Sequence, residues 1–247
     1  MRAILRAGSF TVIAALVVAP AFAQKREKVT IEISAGKLSG VMFLPEATPA
    51  PAVIVLHTAY GSVEDADEKY AAALAKEGFV TLAPNYLEIV KDKLWSPAID
   101  QQLRGALNWL EQRPEVSNKP VGTVGFSLGA HVINLSALDP RIKAVVVYYG
   151  AYDVRAAKRA ANLASDLKLP IDHAAEVKAP VLLVTGEKSH PFFGSVLDVL
   201  EARLPHARRV VLPQVDHTGL LLPSRTLLSA VRMFLQERPD LHATPSR

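Results

Sequence analysis

The stretch Gly125-Phe126-Ser127-Leu128-Gly129 decides the fold, and it reads Gly-x-Ser-x-Gly. The apolar run 121–126 before it favours a β-strand, and the run 128–138 after it favours a helix. A serine on so tight a strand-to-helix turn is strained and exposed above a sheet. Glycines allow close backbone approach, and the first helical N–H groups, including that of Leu128, can stabilise an oxyanion. We therefore predict that Ser127 is a nucleophile.

Short apolar segments alternate with amphipathic segments along the rest of the chain. Predicted strands cover 29–34, 38–44, 52–56, 79–83, 121–126, 144–149, 181–185 and 209–212, and predicted helices cover 64–76, 99–112, 193–203 and 227–237. Wholly apolar strands are expected to be buried on both faces. The pattern predicts the α/β fold class, with a mostly parallel central sheet and helices on both faces. The Ala-rich segment 154–172 is expected to be either a small cap or an ordinary crossover helix.

The start of the chain has the features of a secretory signal peptide. Arg2 and Arg6 make it basic, an apolar run follows, and Ala21-Phe22-Ala23 supplies an Ala-x-Ala cleavage site before Gln24. The apolar run is too short to span a bilayer comfortably, and no later stretch is apolar enough. We therefore expect a periplasmic or secreted protein without a stable membrane span. The predicted organisation is a signal peptide over 1–23 and a single domain over 24–247, of which 238–247 form a frayed tail.

Composition excludes several classes of protein. The chain has 247 residues, no cysteine and a formal net charge of +4 at pH 7. Without cysteine there is no disulfide, no cysteine nucleophile and no thiolate metal site. The basic residues form no stripe, so nucleic-acid binding is not supported. No pair of histidines has metal-ligand spacing, so we predict no metal and no cofactor.

A serine hydroxyl needs a base to remove its proton. In α/β-hydrolases, whose elbow the central motif resembles, the histidine comes last in chain order. His217 follows the last predicted strand, so it is the predicted base. The second oxyanion N–H comes from the loop after the third strand, where we predict Ala59 as the donor and Tyr60 as a wall of the substrate pocket. His57, in the same loop, is expected to be structural rather than catalytic.

Several blocks of this sequence resemble the dienelactone hydrolase family in their order and spacing. They are LHTAYG (56–61), LAKEGFV (74–80), LAPNY (82–86), GFSLG (125–129), YYG (148–150) and DH (216–217). The resemblance spans roughly residues 30–237. It implies a single-domain α/β-hydrolase that acts on esters or lactones.

Two departures from that family concern the nucleophile. The type members have a cysteine where this chain has Ser127, and they pair it with an acidic residue where this chain has Thr58. A serine needs no such partner, so the two changes agree. The sequence also lacks convincing counterparts of the family's carboxylate-binding arginines, which implies a plainer ester substrate than dienelactone.

The third departure concerns the triad acid. The family's aspartate falls at Ser189 here, and a serine cannot stabilise an imidazolium as a carboxylate does. Two substitutes are open, Asp153 and Glu187. Asp153 could instead cap a helix, Glu187 could instead form a surface ion pair, and a site without an acid is the third alternative. Asp216 cannot easily turn back to orient the adjacent His217.

The sequence therefore predicts an exported serine hydrolase that cleaves carboxylic esters or lactones through an acyl-serine intermediate. Ser127 attacks, His217 transfers the proton, and the N–H groups of Leu128 and Ala59 hold the oxyanion. The predicted partner is a small-molecule ester or lactone substrate. The alternatives are a peptidase on the same fold and a non-catalytic pseudo-hydrolase that binds a ligand or partner.

Overall fold

The computed structural model describes residues 24–34, 36–58, 61–62, 65–88, 98–130, 139–148, 174–216, 219 and 223–237. The predicted signal peptide, the segment 154–172 and the tail 238–247 lie outside these residues.

The strands of the described residues form one sheet. They are β1 (Lys25–Ile33), β2 (Gly36–Leu44), β3 (Ala50–Leu56), β4 (Val80–Pro84), β5 (Val116–Phe126), β6 (Ile142–Tyr148), β7 (Val181–Gly186) and β8 (Ala207–Leu212). Their order is β1-β2-β4-β3-β5-β6-β7-β8. The β1–β2 and β2–β4 pairs are antiparallel, and every other pair is parallel. The prediction of a mostly parallel sheet is confirmed.

Helices cover both faces of this sheet. They are α1 (Ala66–Lys76), α2 (Ala98–Leu110), α3 (Pro191–Arg203) and α4 (Arg225–Gln236), and a further helix begins at Leu128. Along β3, Ile54 and Leu56 join the core under α2 and α3. Val53 and Val55 join the other core, under α1 and α4. Because neighbouring side chains of a strand point to opposite faces, β3 must be apolar throughout, as its sequence is.

The largest difference from the predicted strands concerns β5, which begins at Val116 rather than at residue 121. The pairing of β3 with β5 shifts between Ala50 and Ala52, whose partners are Val116 and Val121. The intervening chain is an irregularity in the strand. The polar residues and Pro120 in this part of β5 interrupt the apolar pattern, so the sequence does not predict the extension.

Parallel pairing brings several strand ends to one edge of the sheet. Leu56 at the end of β3 pairs with Gly125, and Phe126 at the end of β5 pairs with Tyr148. On the far side, Gly186 at the end of β7 pairs with Leu212 of β8. In such sheets the carboxyl ends of the strands carry the site. The side chains of a site are therefore expected on the residues that follow these strands.

None of the helices in the described part of the chain has the length and apolarity needed to cross a bilayer.

Candidate active site

Ser127 lies on the turn between β5 and the helix that begins at Leu128. Its φ is 52°, in the left-handed region that a serine adopts only under strain. Its N–H donates to the carbonyl of Tyr148 on β6 at 3.1 Å, so the strained turn is tied to the neighbouring strand. The side chain is half-buried. This is the geometry that presents a serine hydroxyl above the end of a sheet.

The two glycines of the motif have steric reasons to be there. A Cβ on Gly125 would lie 2.5 Å from the carbonyl carbon and oxygen of Gly129. A Cβ on Gly129 would lie 2.4 Å from the carbonyl oxygen of Leu56 and 2.7 Å from that of His57. The turn thus folds back on itself and packs directly on the end of β3. Any side chain at either position would separate these backbones.

Leu128, the predicted oxyanion donor beside the serine, is the first residue of its helix and is buried. The N–H groups of a first helical turn have no intrahelical acceptor, so they remain available to an anion. Ala59 and Tyr60, the other predicted contributors from the β3 loop, lie outside the described residues.

The residues on either side of Ala59 and Tyr60 are joined by hydrogen bonds. The N–H of Gly61 donates to the carbonyl of Thr58, and the hydroxyl of Thr58 donates to the carbonyl of Gly61, each at 3.2 Å. Thr58 is buried, and its hydroxyl helps to close the turn. Thr58, where the family resemblance implies an acidic residue, therefore has a structural role here.

His57 is 3% exposed and lies directly under this turn. Its Nδ1 is 2.8 Å from the carbonyl oxygen of Thr58, and its ring stacks on Tyr86 with centroids 4.2 Å apart. Burial lowers the pKa of His57, while the carbonyl of Thr58, the charge of Asp67 and the amide of Asn85 act in the opposite direction. A neutral, enclosed imidazole fits the structural role expected for this residue.

The loop that leads to His217 is seated on the end of β7. A Cβ on Gly186 would lie 2.2 Å from the carbonyl oxygen of Val215. The same oxygen accepts a hydrogen bond from the N–H of Lys188 at 2.9 Å. These contacts fix the backbone two residues before His217. His217 itself lies outside the described residues.

Of the two candidate acids, only Glu187 is described, since Asp153 lies outside the described residues. One carboxylate oxygen of Glu187 accepts from the backbone N–H of Gln214 at 2.9 Å and from its side-chain amide at 3.1 Å. Gln214 has a φ of 58°, so this carboxylate stabilises a strained residue of the β8 loop. The alternative expected for Glu187 is a surface ion pair, whereas its hydrogen-bond partner in the structure is the uncharged Gln214.

Two further side chains stand near the predicted histidine in sequence. The carboxylate of Asp216 accepts a hydrogen bond from the N–H of Gly219 at 2.7 Å. The hydroxyl oxygen of Ser189, at the family's acid position, is buried and has no hydrogen-bond partner among the described residues. Nothing described at this edge forms a group of three acidic or histidine side chains that could hold a metal ion.

Comparison with known proteins places the chain in a family. Residues 38–212 match the model of the dienelactone hydrolase family. This chain belongs to that family. Dienelactone hydrolase from Anabaena variabilis superimposes with a TM-score of 0.67 at 23% identity, over 90% of this chain and 99% of that chain. Est1E from Butyrivibrio proteoclasticus superimposes with a TM-score of 0.70 at 18% identity, over 85% of this chain and 98% of that chain.

These likenesses show the α/β-hydrolase fold, so the predicted family and fold class are both confirmed. Among curated proteins, the probable 2-oxo-3-(5-oxofuran-2-ylidene)propanoate lactonase of a Bradyrhizobium species is 28% identical over 152 residues. The match covers 56% of this chain and spans 59% of the length of that relative.

Two buried polar residues beside the β3 loop, Asp67 and Tyr86, were missed by sequence reasoning. Asp67 in the first turn of α1 is 4% exposed and accepts a hydrogen bond from the hydroxyl of Ser62. Tyr86 donates its hydroxyl to the carbonyl of His57 at 2.6 Å. In the sequence, Asp67 looks like one of several acidic residues at a helix start, and Tyr86 like a residue after a strand. Only the packing of α1 and of the β4 end against β3 brings them together.

Proposed function

We propose that this protein hydrolyses small carboxylic esters or lactones through an acyl-serine intermediate on Ser127. The observation that carries the proposal is the strained elbow, in which a serine with a φ of 52° stands between two glycines at the carboxyl edge of a parallel sheet. A strained residue persists only where its surroundings hold it, and such sites are concentrated at functional positions. Membership of the dienelactone hydrolase family supports a carboxylic ester hydrolase.

The proposed reaction follows serine-hydrolase chemistry. His217 takes the hydroxyl proton of Ser127 as the oxygen attacks the carbonyl carbon. The N–H groups of Leu128 and Ala59 hold the oxyanion of the tetrahedral intermediate. The ester C–O bond then breaks, and the leaving alkoxide takes the proton from His217. A water molecule, deprotonated by the same histidine, releases the acid and restores the serine.

We propose Asp153 as the acid that orients His217. Its sequence position supports this, because it follows β6, the strand beside the elbow strand. The bonds between Glu187 and Gln214 support a loop-stabilising role for the other candidate. Asp153→Asn is expected to lower kcat by about 10⁴-fold, because the imidazole loses its tautomer partner. Glu187→Gln is expected to lower stability and to leave kcat near that of the wild type. The reverse pattern would assign the acid to Glu187, and no effect of either change would indicate a Ser–His pair.

The proposed substrate is an ester or lactone simpler than dienelactone, because the sequence lacks convincing counterparts of the arginines that bind the substrate carboxylate in the family. The Thr58 hydroxyl, at the position of the family's cysteine-pairing acid, is used to close the β3 turn. The protein is further proposed to be exported, with Gln24 as its first mature residue, on the evidence of the basic and apolar leader and the Ala-x-Ala site. N-terminal sequencing of the mature protein tests this, and a protein that still begins with Met1 would contradict it.

The decisive experiment compares the wild type with Ser127→Ala. Each is incubated with a fluorophosphonate probe and with p-nitrophenyl acetate, and folding is checked by circular dichroism. We expect labelling and turnover in the wild type, with both lost in the variant by about three orders of magnitude or more in rate. A folded wild-type protein that is neither labelled nor active would instead be a pseudo-hydrolase that binds a ligand or partner.

A further inference from the structure

His57 is held so that one ring nitrogen fixes the start of the β3 loop. Its Nδ1 lies 2.8 Å from the carbonyl oxygen of Thr58. A carbonyl oxygen can only accept, so Nδ1 must carry the proton of this hydrogen bond. In a neutral imidazole the other nitrogen, Nε2, then has no proton. Nε2 is buried, and no described residue stands in hydrogen-bond geometry with it, although the Asn85 amide is one of the groups that raise the pKa of the ring. The defined hydrogen bond of the ring is therefore the one at Nδ1.

Tyr86 fixes the position of this ring. The two rings are stacked with centroids 4.2 Å apart and planes 13° from parallel. The Tyr86 hydroxyl donates to the carbonyl of His57 at 2.6 Å. Burial, together with the charge of Asp67, raises the pKa of Tyr86 far above its usual range, so the hydroxyl keeps its proton and remains a donor. Both the ring and the main chain of His57 are therefore held by one neighbour.

The carbonyl that His57 binds is also part of the loop closure. The oxygen of Thr58 accepts from Nδ1 of His57 and from the N–H of Gly61, at 2.8 Å and 3.2 Å. On the far side of the loop, Ser62 donates to the carboxylate of the buried Asp67. Thr58 and Gly61, which flank Ala59 and Tyr60 in the sequence, are thus bonded to each other, and Ser62 after them is bonded to α1. Ala59 is the proposed oxyanion donor.

The main chain of His57 faces the nucleophile elbow. A Cβ on Gly129 would lie 2.7 Å from the carbonyl oxygen of His57, so the helix after Ser127 packs directly on this peptide. A single residue therefore contacts the elbow through its backbone and the oxyanion loop through its side chain. A shift of His57 would move the Thr58 carbonyl relative to the elbow.

We propose that His57 is a positioning residue for ester hydrolysis, whose Nδ1–H fixes the Thr58 carbonyl and with it the 58–61 turn. The proposal rests on the proposed function, because the turn matters for catalysis only if it supplies an oxyanion donor. Hydrogen bonds to the oxyanion strengthen in the transition state, so a loosened turn lowers kcat and leaves KM nearly unchanged.

The test replaces His57 with two amide side chains of different length, asparagine and glutamine. The amide nitrogen of His57→Asn can occupy the place of Nδ1 and donate to Thr58, whereas that of His57→Gln reaches the place of Nε2. Both variants lose the stacking on Tyr86, so each is the control for the other in stability. With p-nitrophenyl acetate, and at equal folded fraction, we expect His57→Asn to stay within about threefold of the wild-type kcat. We expect His57→Gln to lose about 10-fold to 100-fold, less than or comparable to removal of a whole oxyanion donor.

Two kinetic results would overturn the proposal. Equal kcat values for the two variants would show that the Nδ1 contact is unimportant. Loss of activity in both variants to the level of Ser127→Ala would make His57 a proton-transfer group rather than a positioning residue.

A second measurement does not depend on turnover and separates this proposal from the proposed function. The ¹⁵N spectrum of histidine-labelled protein at pH 7 should show the Nδ1–H tautomer for His57. The Gly61 amide should exchange with solvent faster in His57→Gln than in His57→Asn, because only the latter still holds the Thr58 carbonyl. An Nε2–H tautomer, or equal exchange in the two variants, would refute the positioning role even if the wild type proved to have no esterase activity. A wild type no faster than Ser127→Ala would refute the proposed function alone.

Discussion

Gly129→Ala is the substitution for which the structure gives the sharpest expectation. The new Cβ would lie 2.4 Å from the carbonyl oxygen of Leu56 and 2.7 Å from that of His57. Both contacts are with backbone atoms at the end of β3, which cannot rotate out of the way as a side chain can. Since real Cβ atoms do not approach closer than 3.0 Å, the elbow helix and β3 must separate by about 0.6 Å.

That movement should affect stability and catalysis together. Overpacking of this kind costs about 1–3 kcal/mol in the free energy of unfolding. Ser127 lies two residues before Gly129, so the hydroxyl moves relative to the β3 loop that is proposed to supply the second oxyanion donor. A misplacement of about 1 Å can cost about 100-fold in rate, and the smaller movement here predicts a loss of about 10-fold to 100-fold in kcat.

The assay measures kcat for p-nitrophenyl acetate and the free energy of unfolding by chemical denaturation. Gly194→Ala is the matched control, because its Cβ would meet no atom within 4 Å and the position lies inside α3. This control should be more stable than the wild type by about 1 kcal/mol and equally active. If Gly129→Ala kept the wild-type kcat and unfolding free energy, the close contact between elbow and β3 would be refuted.

Two further predictions concern stability alone. Because burial lowers the pKa of His57 below its ordinary value of 6.5, the unfolded chain binds a proton at this residue more readily than the folded chain. The wild type should therefore lose stability as the pH falls from 6.5 towards the folded-state pKa, by up to about 1.4 kcal/mol per pH unit relative to His57→Asn. Denaturant unfolding of both proteins at several pH values measures this, and parallel pH curves would contradict it. Ser224→Ala should cost about 1 kcal/mol with no change in kcat, because the Ser224 hydroxyl accepts from the N–H of Leu227 and caps α4. A thermal melt and the ester assay check this, and an unchanged melt would show that the cap contributes nothing.

The elbow could be predicted from sequence because its requirements are local. The elbow needs two small residues around one serine, a strand pattern before them and a helix pattern after them. All of these lie in one short stretch of sequence. The apolar strands could be predicted for the same reason, since a run such as that of β3 must satisfy both faces of a covered sheet. The start of β5 could not be predicted, because it is set by the pairing of Val116 with Ala50 of β3, and the polar residues and Pro120 that follow Val116 interrupt the apolar pattern.

The support of the β3 loop could not be predicted from sequence, and the reason is the distance along the chain between its members. Tyr86 bonds a carbonyl 29 residues before it. Asp67 is brought to Ser62 by the packing of α1 on β3 and β4. Glu187 binds Gln214, 27 residues later, only because β7 and β8 are neighbours. Polar contacts of this kind depend on the topology of the sheet and leave no periodic pattern in the sequence.

The family resemblance implies a cysteine and an acidic residue where this chain has Ser127 and Thr58. An acidic residue in place of Thr58 would have no hydroxyl proton to donate to the Gly61 carbonyl when ionised, and its negative oxygens would face that carbonyl. The turn would then lose one of its two closing hydrogen bonds, and a charge would enter a position that is 8% exposed. With a serine at the elbow nothing requires that charge, so position 58 is free to close the turn. The neighbouring His57 donates a second hydrogen bond to the Thr58 carbonyl, which also accepts from the N–H of Gly61. The turn is therefore stabilised without an acidic residue. A serine at the elbow is thus compatible with a β3 loop that is held by the hydrogen bonds of His57 and Thr58.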